Sequence, residues 1–168
     1  MVDKKILIFL SIILLFLFVK SALATDAEAE KVVFYNGIKL YGKLNDKSDF
    51  VVSLFMEPYK DTKVKYSSKF WGYDKPQPTN IIKELSVIIR GKKLIIPENA
   101  IKDLADIIIP EGLFLMQTSR TIVLYIEGGD AAGSYTAALK FVDGKLVSRT
   151  IEFMNSEGAP DSVTTKYQ

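Results

Sequence analysis

Over most of the chain, β-branched and aromatic residues recur in short runs broken by Gly, Asn, Asp and Pro, the rhythm of an antiparallel sheet. The first runs, Val32 to Tyr35 and Ile38 to Leu44, flank Asn36-Gly37, the dipeptide most favoured in a two-residue hairpin loop. Asp49 to Met56 and Lys63 to Tyr73 read as further strands, and the proline-containing stretch Asp74 to Asn80 as a surface crossing. Leu85 to Arg90 and Lys93 to Ile96 form another hairpin around Gly91. Leu113 to Gln117, Thr121 to Glu127, Ser134 to Val142 and Lys145 to Phe153 follow, with Asp143-Gly144 as a type I′ turn between the last two. Asn155 to Asp161 reads as a loop and Ser162 to Tyr167 as a closing strand.

Two segments break this rhythm. Pro97 suits the first turn of a helix, and Ala100, Ile101, Leu104, Ala105 and Ile108 fall at three- and four-residue spacings that share one helical face. The expected fold is therefore α+β but mainly β: an antiparallel sheet of several hairpins, sandwich or barrel-like, with one packed helix. The other exception is Ile6 to Val19, an apolar run interrupted only by Ser11, preceded by Lys4 and Lys5 and ended by Lys20. It falls short of the roughly 20 residues that span a bilayer. Ala22-Leu23-Ala24 then supplies the small residues of a signal peptidase site. Residues 1–24 are expected to be a signal peptide cleaved after Ala24, residues 25–31 a disordered spacer, and residues 32–168 a single globular mainly-β domain exported to the periplasm or the extracellular space.

Removing that leader alters the charge. It carries Lys4, Lys5 and Lys20 of the 22 basic residues and Asp3 of the 20 acidic ones, so 19 of each sign remain. A neutral domain gives no overall electrostatic basis for nucleic-acid binding, and no membrane span is expected in the mature form. The chain has no cysteine, hence no disulfide and no lipid-anchored cysteine, and no histidine. Histidine bases, Ser-His-Asp triads, thiol nucleophiles and the usual zinc, copper and non-haem iron ligand sets are all excluded. Carboxylates, lysines and all-oxygen metal sites remain, and no cofactor or metal is expected.

Glu127-Gly128-Gly129-Asp130-Ala131-Ala132-Gly133-Ser134-Tyr135 places three glycines and two carboxylates between two expected strands. It matches a phosphate loop only in glycine spacing: Ser134 stands where lysine is required, a strand follows, and the carboxylates repel phosphate. Glu127 and Asp130 could form an acid pair for glycan hydrolysis, and a long hairpin loop with glycines at positive φ is the plainer account. The second candidate is the aromatic-rich stretch from Phe50 to Tyr73. A regular strand there puts Trp71 and Tyr73 on the same face as Lys63, Lys65 and Lys69, a surface able to stack a sugar or anchor a protein. A bulge near Gly72 would instead turn Trp71 into the core.

Together these features point to a non-enzymatic exported protein that binds a protein or glycan of the cell envelope through Trp71, Tyr73, Glu127, Asp130 and Tyr135. The alternatives are a carboxylate-dependent glycan hydrolase, with Glu127 as acid and Asp130 as base or nucleophile, and an inhibitor-like or structural module with a protruding loop.

Overall fold

Turn chemistry sets the hairpins. In the protein's structure, a computed structural model describing residues 25–26, 28–60, 70–71, 77–129, 133–154 and 157–168, β1 (Thr25–Asp26) and β2 (Glu28–Phe34) lead into β3 (Gly37–Lys43). Phe34 pairs with Gly37, so the loop is Tyr35-Asn36, one residue earlier than the expected Asn36-Gly37. Close approach explains the shift. A Cβ on Gly37 would lie 2.4 Å from the Leu54 carbonyl oxygen and 2.6 Å from a Phe55 ring carbon, so the glycine is needed inside the sheet.

β4 (Asp49–Pro58) and β5 (Asn80–Ile89) follow, and β5 turns into β6 (Lys92–Lys93) through Arg90 and Gly91. Their φ values of 53° and 73° are the paired positive dihedrals of a type I′ turn. β7 (Leu113–Thr118), β8 (Thr121–Gly128), β9 (Tyr135–Val142), β10 (Lys145–Met154) and β11 (Pro160–Lys166) complete the chain. Asp143 and Gly144, at 49° and 79°, make the expected turn between β9 and β10.

The strands form two antiparallel sheets, one ordered β1-β7-β8-β9-β10-β11 and the other β2-β3-β4-β5-β6. Neither closes into a barrel. Residues 28–31, expected within a spacer, pair with β3 from Glu28↔Lys43 to Lys31↔Leu40. The inward side chains of both sheets make one apolar cluster: Ile38, Leu40, Phe50, Val52, Leu54 and Val87 from the five-stranded sheet meet Leu113, Leu124, Ile126, Leu139, Phe141 and Ile151 from the other. Alternation of buried and accessible positions through Asp49 to Phe55 of β4, Leu85 to Ile89 of β5, Leu124 to Gly128 of β8 and the whole of β9 produces this layer. Among the described residues no helix is long and apolar enough to cross a membrane. The leader, residues 1–24, and Lys63 to Lys69 of the expected strand lie outside the described residues.

The expected packed helix is absent. Only Glu98–Ala100 forms a 3₁₀ turn, and of the backbone bonds around it three reach three residues back (Ala100 N to Pro97 O at 2.9 Å, Ile101 N to Glu98 O at 3.1 Å and Leu104 N to Ile101 O at 3.0 Å) and a single one, Lys102 N to Glu98 O at 2.9 Å, has the reach of an α-helix. Beyond Leu104 the backbone bonds to both sheets. The Asp106 amide donates to Asn80 O at 2.9 Å and the Ile108 amide to Glu127 O at 3.0 Å. Asp106 takes φ 49°, and its carboxylate accepts the amides of Thr79 at 3.0 Å and Asn80 at 2.8 Å. That side chain offers the backbone a non-helical alternative, and the β-branched run Ile107-Ile108-Ile109 disfavours continuing a helix. The apolar spacing is still used, because Ala100, Leu104 and Ala105 are fully buried and close one end of the space between the sheets.

Candidate functional site

At the end of the six-stranded sheet, where β8 to β11 run beside the crossing segment Pro97 to Ile108, which bonds to both sheets, a groove of about 650 Å³ opens to solvent. Cross-strand register builds it. Glu127 of β8 pairs with Thr136 of β9, Thr136 with Glu152 of β10, and Glu152 with Ser162 of β11, one row of outward side chains across four strands. The next row, Gly128, Tyr135, Phe153 and Asp161, continues the groove, with Ile108, Ser134, Met154 and Pro160 at its margins.

Three carboxylates, Glu127, Glu152 and Asp161, thus share the groove with the hydroxyl side chains of Ser134, Tyr135, Thr136 and Ser162 and an apolar strip. No lysine or arginine is among its described lining residues, and none of the three carboxylates is in an ion pair with a described residue. Asp161 accepts the Ser162 amide at 2.7 Å. The carboxylates do not converge as a metal-ligand set: among the described residues no group of three or more acidic side chains is placed to hold an ion.

Beneath the groove the support is rigid and polar. Tyr135 is buried and donates its hydroxyl to the Ala105 carbonyl at 3.0 Å, and burial pushes that hydroxyl far above the ordinary phenol range. A Cβ on Gly128 would sit 2.6 Å from the same hydroxyl, so the glycine admits the tyrosine. Farther in, Arg149, only 7% exposed, donates to Asp103 at 2.5 Å and 3.0 Å and to the Ala100 carbonyl at 3.2 Å. Trp71 Nε1 donates to the same carboxylate at 3.2 Å, and its ring lies 4.9 Å from that of Phe153 at 47°. Arg149 Nε and Tyr167 Oη are buried without hydrogen-bond partners among the described residues, and burial raises the Tyr167 hydroxyl.

The candidates from the sequence separate accordingly. Glu127 and Tyr135 line the groove, while Trp71 is half-buried, is not among the described lining residues and packs against Phe153, which is. Tyr73 and Asp130 lie outside the described residues, so the Glu127 and Asp130 pair does too. Glu152, Phe153 and Asp161 were not singled out in the sequence. They join Glu127 through strand order, which no local pattern carries. No family model, curated protein or solved structure matches the chain.

Proposed function

We propose that this is an exported, non-enzymatic binding protein whose groove holds a protein partner presenting an extended, basic segment. The observation that carries the reading is the groove's composition: three carboxylates and, among the described residues, no cation, in a cleft bounded by the edge strand β11. Like charges held together repel one another, and an incoming Lys or Arg relieves that repulsion. An edge strand offers unpaired backbone groups along which an extended peptide can add as a further strand, its alternate side chains directed to one face. Phe153, Met154 and Pro160 supply apolar contact for the aliphatic stems of such side chains. Export rests on the order of Lys4, Lys5, the apolar run Ile6 to Val19 and the small residues Ala22 and Ala24.

The test is calorimetric titration with a decapeptide of alternating lysine and valine. Binding is expected to weaken as salt is raised, because exposed charge pairs are screened. Replacing Glu127→Gln, Glu152→Gln and Asp161→Asn together should weaken it by about tenfold, from roughly 0.5 kcal/mol per exposed pair. If the peptide fails to bind, or binds equally to the triple variant, the reading is wrong. Salt-independent binding of a neutral oligosaccharide in its place would move the assignment to a glycan.

A further inference from the structure

The outer face of the six-stranded sheet departs from what water calls for. An antiparallel sheet with one solvated face reads polar on that face, yet β7 presents Phe114 and Met116 there, and β8 presents Val123 and Tyr125. Phe114 and Tyr125 stack with centroids 4.7 Å apart at 10°. The outward face of the five-stranded sheet sets Lys39, Lys43, Asp49, Ser53, Glu84 and Ser86 among Tyr41, Val51, Phe55 and Ile88, so charge is spread through it rather than kept to its margins.

Register arranges this face in three bands across the strands. The middle band is uncharged: Phe114, Tyr125, Ala138, Thr150 and Thr164 pair in sequence from β7 to β11. On one side lies the row with Glu127 and Glu152. On the other, Val123, Lys140, Ser148 and Lys166 pair in sequence, bringing two exposed lysines that form no ion pair with a described residue. Two negative charges, on β8 and β10, and two positive ones, on β9 and β11, therefore lie on opposite sides of an uncharged band.

From this we infer that the face pairs with the same face of a second copy of the chain, about a twofold axis lying along the middle band. That operation reverses each strand over its own copy and lays the acidic row over the basic row, so that Glu127 and Glu152 face Val123 and Ser148 with a lysine of the other copy one strand to the side, about 4.8 Å away, and the Phe114 and Tyr125 pair meets its own copy. A twofold axis parallel to the strands would set glutamate over glutamate and is disfavoured. Face-to-face sheets sit about 10 Å apart, within reach of lysine and glutamate side chains offset by one strand. The contact is isologous and closes at two copies, leaving no open face for further growth. The inference goes beyond the basic-peptide reading and does not need it, since Lys140 and Lys166 do not line the groove.

Analytical ultracentrifugation of the purified protein tests the pairing through charge reversal. The unaltered protein should dimerise, less so at high salt. One variant carries Lys140→Glu with Lys166→Glu, and the other Glu127→Lys with Glu152→Lys. Each alone should dimerise at least about tenfold more weakly, since like charges then face one another. An equimolar mixture of the two should regain dimers, because each row again meets its opposite, and that recovery also shows both variants folded. A protein that is monomeric throughout, a dimer indifferent to both reversals, or a mixture that fails to recover would overturn the inference.

Discussion

The buried guanidinium of Arg149 is the most exacting residue in the molecule. It is held by Asp103 through two of its nitrogens, and the same carboxylate accepts Trp71 Nε1. One aspartate on the crossing segment therefore joins β10, Trp71 and, through Trp71's ring, the Phe153 wall of the groove. The two members of the pair are unequal: the Arg149 side chain is 8% exposed and that of Asp103 is 23%. Removing the carboxylate strands a nearly dry cation, whereas removing the arginine leaves a carboxylate that keeps its indole donor and some water. Asp103→Ala is accordingly expected to destabilise the fold by about 3–5 kcal/mol, and Arg149→Met by clearly less. Urea unfolding of the two variants measures this, and equal losses would show that the asymmetry of burial does not govern the pair.

At the scale of elements, the hairpins were legible and the crossing segment was not. Gly91, Asp143 and Gly144 marked their turns because positive φ is a local demand that few residues meet cheaply. Asn36-Gly37 misplaced its loop by one residue because Gly37 answers a different demand, the approach of β4, which only a neighbouring strand can reveal. The segment from Pro97 to Ile108 carries a helical spacing of apolar residues, but past Leu104 the amides of Asp106 and Ile108 are taken by Asn80 and Glu127, residues distant in sequence. Periodicity reports which side chains are buried, not which carbonyls receive the amides. The same limit hid the groove, since Glu127, Glu152 and Asp161 meet only once β8, β9, β10 and β11 are set side by side. Gly37→Ala tests the close-approach argument directly: its Cβ would press on the backbone oxygen of Leu54, which cannot swing aside as a side-chain tip can. A loss of about 1–3 kcal/mol in urea unfolding is expected. A loss within the scatter of surface substitutions would show that the hairpin could have turned at either position.

For the whole molecule, the groove and the banded face draw on the same two carboxylates, Glu127 and Glu152, so a basic segment in the groove and a second copy on the face compete for them. The two associations also differ in which backbone they cover. Strand addition occupies the outward edge of β11, while pairing of faces covers side chains and leaves both edges of the sheet open. Within an edge strand, alternate amides point away from the sheet and exchange freely with water unless a partner accepts them. Amide hydrogen exchange therefore separates the two events in one protein. Raising the protein concentration should leave exchange of the outward β11 amides unchanged, and adding the lysine-valine decapeptide should slow them while the outward amides of β2, on the other sheet, stay fast. Slowing of β11 with concentration alone would mean that copies join edge to edge. The face, with its stacked Phe114 and Tyr125, would then have to be covered by something other than a second copy.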